Sequence, residues 1–122
     1  LRLEVPRREV RRNHRVEVRL PCSFNLIQNK IVMPETVHAT IRDIGYHGVL
    51  IETDHPLKAL DDVKLEFDLP LIDFKATDIH AKVVKSKDDG SRHLTMLEFT
   101  SSTPDTDMKI QLFVQLLVSA AA

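Results

Sequence analysis

From Val16 onward the chain alternates apolar and polar residues with period two. Val16, Val18, Leu20, Cys22, Phe24 and Leu26 are interleaved with Glu17, Arg19, Pro21, Ser23 and Asn25. This pattern marks a half-buried β-strand, with a bend expected near Pro21. A second strand is predicted over about 36–42, with Val37, Ala39 and Ile41 facing in, followed by a Gly-containing turn at 43–48. Val49–Thr53 reads as a short third strand and 56–62 as a loop. In the fourth strand Val63, Leu65, Phe67 and Leu69 alternate with Lys64, Glu66 and Asp68. The fifth runs over about 74–85, and its apolar phase slips between Ala76 and Ile79, which predicts a β-bulge. Asp88-Asp89-Gly90-Ser91 has the composition of a hairpin turn, and His93–Thr100 is the sixth strand.

The period then changes. Ser102-Thr103-Pro104-Asp105 combines a hydroxyl cap, a first-turn proline and an early acid, which together start a helix. Met108, Leu112, Phe113, Leu116 and Leu117 follow at helical spacing and are expected to form its apolar stripe. Six short strands and one terminal helix predict a mainly β fold: a six-stranded antiparallel β-barrel with an arginine-rich N-terminal arm and a C-terminal α-helix. The expected division is a flexible basic arm over 1–15, the barrel over 16–102 and the helix over 103–122. A helix this apolar is expected to pack on the barrel, and it is also a candidate homodimer contact.

At 122 residues and 43% hydrophobic content, the chain is one domain with enough apolar side chain to build a core. Its single cysteine, Cys22, excludes an internal disulfide and a cysteine-based zinc site, which fits a reducing compartment such as the cytoplasm. By its parity Cys22 is a core residue, not a nucleophile. No apolar run reaches membrane-spanning length and no signal peptide is visible. Because the chain begins at Leu1, it is expected to be a piece of a longer protein.

Charge changes the picture more than composition does. The net charge is −1, yet residues 1–19 hold seven of the nine arginines against three acids and none of the lysines, so this segment is +4. Guanidinium is a planar fork that matches phosphate oxygens and base edges and stacks on rings. An arm built from arginine alone points to a flat, anionic ligand.

Two clusters carry that chemistry. One is Arg11-Arg12-Asn13-His14-Arg15, just ahead of the first strand, with Arg8 nearby; the other is Asp43-Ile44-Gly45-Tyr46-His47-Gly48. Taken alone, Asp43 reads as a turn-forming residue and the glycines as a hairpin connection. In their order and spacing, around a barrel-like pattern, the two clusters resemble the PilZ domain family. Its signature is an RxxxR stretch leading into the barrel and a D/N-x-S-x-x-G turn, and the resemblance covers nearly the whole chain.

The resemblance implies a receptor for cyclic di-GMP. It would assign Arg11 and Arg15, with Arg12 between them, to phosphates and guanine edges, Asp43 to guanine, and Gly45 and Gly48 to a turn that lets the ligand approach. His14, Tyr46 and His47 lie within the same two motifs and are further candidates to line the pocket. The chemistry of the residues agrees. Arginine pairs bidentately with guanine O6 and N7, and a carboxylate accepts from the opposite N–H edge. The glycines are expected to permit positive φ and to remove side chains that would block a flat base. One departure is plain: Gly45 stands where the family pattern has serine.

The histidines show no close-spaced ligand pair, and there is no nucleophile triad and no phosphate loop, so neither a metal site nor an enzyme is expected. Few aromatics and a net-acidic barrel argue against single-stranded nucleic acid. The expected role is a cyclic di-GMP-binding module that switches conformation and passes the change to a protein partner or an adjacent domain. The alternative is a degenerate PilZ-like adaptor that binds protein and no nucleotide. Nothing in the sequence selects among motility, secretion, polysaccharide synthesis or transcription as the output.

Overall fold

The computed structural model describes residues 14–121; Arg8, Arg11 and Arg12 lie outside these residues, and of the arm expected over 1–15 only His14 and Arg15 lie inside, Arg15 as a strand residue. Seven strands are present: β1 (Arg15–Gln28), β2 (Ile31–Val32), β3 (Val37–Gly45), β4 (Gly48–Thr53), β5 (Asp62–Leu69), β6 (Phe74–Asp89) and β7 (Arg92–Ser101). They are followed by one helix, α1 (Pro104–Ala121). The sheet order is β2-β1-β3-β4-β7-β6-β5, and β1 pairs with β5 as well, so six antiparallel strands close into a barrel. Closure depends on the length of β1. Residues 15–24 pair with β3, and residues 22–27 pair with β5.

Inward residues from every strand of the closed ring fill the barrel. Phe24, Ile41, Ile44, Val49, Ile51, Val63, Leu65, Ile79, Val83 and Leu97 are all essentially inaccessible. Cys22 joins them, and burial pushes its thiol up to about 12, so it stays protonated at neutral pH. The bulge expected in the fifth strand is present. Leu65 pairs with Ile79 but Phe67 with Ala76, and Asp78 in the bulge takes a left-handed φ of 56°. At the β6–β7 hairpin the turn is Gly90-Ser91, with Gly90 at φ 70°, the conformation a first-position hairpin glycine supplies. The short β2 was not visible in the pattern. Asn29 and Lys30, both at positive φ, make the tight turn into it.

Helix α1 starts as expected. The Thr103 hydroxyl accepts the Thr106 amide at 3.1 Å, Pro104 opens the first turn, and Asp105 and Asp107 lie within it. Its packing face matches the predicted stripe at Phe113 and Leu117 only. Ile110, Phe113 and Val114 are buried in the barrel core, with Leu117 and Val118 packed against it, whereas Met108, Leu112 and Leu116 are exposed. The sequence carries two apolar stripes on this helix, and contact with β1, β3 and β6 selects the one centred on Phe113. Among the described residues no helix is long and apolar enough to cross a membrane.

Replacing Phe113 by Ala is expected to cost about 3–5 kcal/mol, as for other large core truncations. Met108→Ala should stay within about 0.5 kcal/mol. Urea denaturation of both variants checks which stripe faces the core; equal losses would contradict this assignment.

Candidate functional site

Asp43 sits on a strand, not in the loop expected for it. The alternation Ala39, Ile41 would carry residue 43 into the core, yet Ile44 is the next inaccessible side chain. A bulge accounts for this. Ile41 pairs with Ile51 but Asp43 with Leu50, leaving Arg42 as the extra residue. The inserted residue reverses the phase and turns Asp43 to the outer face of the barrel. The signal was available in the sequence as the three-residue step from Ile41 to Ile44.

On the neighbouring strand, Arg15 is the first residue of β1 and pairs with Gly45, while Glu17 pairs with Asp43. This register brings the last arginine of the RxxxR stretch beside the first residue of the turn motif. Arg15 Nε donates to Asp43 Oδ1 at 2.7 Å and Nη2 lies 2.6 Å from the same oxygen. Both side chains are partly open to solvent, at 33% and 21% exposure, so ligand atoms can reach them.

The link between the two strands is Tyr46-His47, flanked by Gly45 and Gly48. Neither glycine has a positive φ; among the described glycines only Gly90 does. Their role is close approach, not left-handed backbone. A Cβ on Gly48 would lie 2.2 Å from the Leu97 carbonyl oxygen, and one on Gly45 would lie 2.9 Å from the His14 carbonyl oxygen. Glycine at 45 thus lets the His14 carbonyl lie directly on the turn, where a serine would push it away by some tenths of an ångström.

Tyr46 is half-buried against the core, with its ring edge-on to exposed His47 at 6.4 Å between centroids. Its hydroxyl, and Nδ1 of half-buried His14, have no hydrogen-bond partner among the described residues. The His47 carbonyl accepts the Phe99 amide at 2.8 Å, which fastens the turn to β7.

One neighbouring group was missed in the sequence. Glu52 on β4 receives Arg42 Nη1 at 2.6 Å and Arg92 Nη1 at 3.3 Å. The hydrogen bond from Arg42, reinforced by the charge of Arg92, holds its carboxyl below the ordinary value. Among the described residues no cluster of His, Cys, Asp and Glu is placed to hold a metal ion.

The PilZ domain family model matches residues 9–116. Solved structures share the fold, three of which follow. The inhibitor of motility MotI/DgrA of Bacillus subtilis superposes with a TM-score of 0.69 at 13% identity, over 88% of this chain and 48% of that one. This chain therefore spans about half the length of that protein. The PilZ domain of YcgR from Escherichia coli, solved with c-di-GMP, gives 0.64 at 13% identity over 88% and 91% of the two chains. The PilZ domain of CeSA from a cellulose-synthesizing bacterium gives 0.58 at 12% identity over 90% and 100%. No curated protein sequence matches.

Gly48→Ala is expected to lower stability by about 1–3 kcal/mol, the usual cost of forcing atoms into packed space. Urea unfolding measures it. An unchanged midpoint would show that β4 does not need glycine against Leu97.

Proposed function

The chain belongs to the PilZ domain family, and from that premise we propose that it is a receptor domain for cyclic di-GMP, held at Arg15 and Asp43. The observation that carries this reading is the meeting of those two side chains at 2.6–2.7 Å on the open outer face of the barrel. They come from the two motifs that sequence reading singled out, and they are complementary to guanine. The guanidinium fork suits O6 and N7 or a phosphate oxygen, and the carboxylate suits the N–H groups of the other edge. No catalytic step is needed; the module binds.

Magnitudes decide whether a ligand can displace the existing pair. A solvent-exposed ion pair contributes about 0.2–1 kcal/mol. Each charge-assisted hydrogen bond to a ligand is worth about 1.5–3 kcal/mol. Exchanging one internal pair for two or more such bonds is therefore favourable, and the pair holds both groups in place until the ligand arrives. Arg11 and Arg12 would add contacts from the arm. A bound dinucleotide bridging arm and turn would hold residues 7–13 against the barrel and alter the surface offered to a partner protein or adjacent domain. Gly45 in the serine position favours a second reading, a protein-binding adaptor without nucleotide; the same titration separates the two.

Arg15→Ala and Asp43→Ala should each weaken cyclic di-GMP binding by roughly 10- to 100-fold in calorimetry. Their melting temperatures should stay near that of the parent, because an exposed pair contributes so little. GTP serves as the control ligand. Parent protein that shows no heat with cyclic di-GMP would favour the adaptor. Amide exchange of residues 7–13 should slow on adding the dinucleotide; equal protection with and without it would contradict the bridging of arm and turn.

A further inference from the structure

Helix α1 carries an apolar ridge that the barrel does not cover. Met108, Leu112 and Leu116 are 62%, 41% and 41% exposed, and exposed Ala120 continues the row. Residues four apart share a helix face, so these four form one ridge along the outer side of α1. The opposite side, centred on Phe113, seats on the barrel. A helix with one face on a core normally turns charged residues to water on the other. This one does not. From Ile110 to Ala121 there is no charged residue, and the exposed neighbours of the ridge are Gln111, Gln115 and Ser119.

The charges of α1 are gathered at its start. Asp105 and Asp107 are exposed in the first turn. Lys109, the one cation of the helix, lies over the Phe74 ring at 5.3 Å from its centroid, which holds it on the barrel side. This pattern decides between occupants. Helices that lie on a lipid surface carry Lys and Arg along their polar face, whereas α1 offers acids there. A charged partner finds no opposite charge along the ridge. A second copy of α1 needs none, because a two-fold interface is one patch facing itself and an uncharged apolar ridge is complementary to itself.

Charge also sets the direction. Parallel pairing would bring Asp105 and Asp107 of both copies side by side. Antiparallel pairing lays each acidic end beside the uncharged half of the other helix, with the helix dipoles opposed. Centred between Leu112 and Leu116, it sets Leu112 against the partner's Leu116 and Met108 against the partner's Ala120, a long side chain against a short one.

We propose that α1 joins two copies of this chain as an antiparallel helix pair through the ridge Met108, Leu112, Leu116 and Ala120. Its size sets its strength. A stable interface buries about 800 Å² per partner, and one methionine, two leucines and an alanine supply less. The dimer is therefore reversible, with a dissociation constant of roughly tens to hundreds of micromolar. It stands independently of the cyclic di-GMP reading.

Sedimentation equilibrium is expected to show the average mass rising from one chain toward two between low micromolar and about 1 mM protein. Leu112→Glu, and separately Leu116→Glu, should each raise the dissociation constant about tenfold or more. Melting temperatures should stay near that of the parent, because both side chains lie on the exposed side. Disulfide trapping reads the register, and the native Cys22 does not compete because it is buried and protonated. Met108→Cys and Ala120→Cys chains, mixed under a mild oxidant, should form the mixed dimer faster than either links to itself. A chain that stays monomeric at about 1 mM, a dimer indifferent to both glutamates, or preferential like-with-like linkage would overturn the proposal. So would monomeric protein that sediments with phosphatidylglycerol vesicles and loses this in Leu112→Glu, which would assign the ridge to a lipid surface.

Discussion

Barrel closure by β1 is the constraint on which the rest of the structure depends. This strand is long enough for its first part to pair with β3 and its last part with β5. Closure leaves no long strand edge among the six and seals the apolar interior. It also fixes a register. With Val16 opposite Ile44, Arg15 must lie beside Gly45, and the guanidinium then reaches Asp43. The candidate site is thus a consequence of how the sheet closes, and Arg15 is delivered to the turn by the same hydrogen-bond ladder that builds the core.

Two bulges convert this barrel into a surface with chemistry on it. A regular period-two strand would send Asp43 and Lys85 into the interior, where an unpaired charge is costly. The extra residues Arg42 and Val84 turn both outward. Arg42 then does more than occupy the insertion, since it matches Glu52 and removes a repelling charge from the approach to the outer face. Gly48 has a complementary role: its missing side chain lets β4 lie against the Leu97 carbonyl at the edge of the turn.

Much of this was legible in the residues. Alternation at Val16–Leu26 and Val63–Leu69 revealed strands, the slip at Ala76–Ile79 revealed its bulge, and Thr103-Pro104 revealed the helix start. Two motifs placed Arg15 and Asp43 at one ligand, but their direct pairing was not legible, because register belongs to the contact between strands. The face of α1 was misjudged for a similar reason. Phe113 was placed correctly, but Met108, Leu112 and Leu116 are as apolar as Ile110 and Val114, and only the barrel decides which set is covered. The glycines were credited with backbone freedom when their function is proximity, a property of neighbours that a single chain segment does not display. The Arg42 and Val84 bulges were present as a three-residue apolar step and a doubled valine, and both were passed over as strand ends.

The central claim is that one ligand engages Arg15 and Asp43 together. A crystal structure of the chain grown with cyclic di-GMP tests it most directly. The account predicts a guanine or phosphate within hydrogen-bond distance of both side chains, with the pair opened to receive it. Density for the dinucleotide elsewhere on the protein, with the Arg15–Asp43 pair intact, would contradict it.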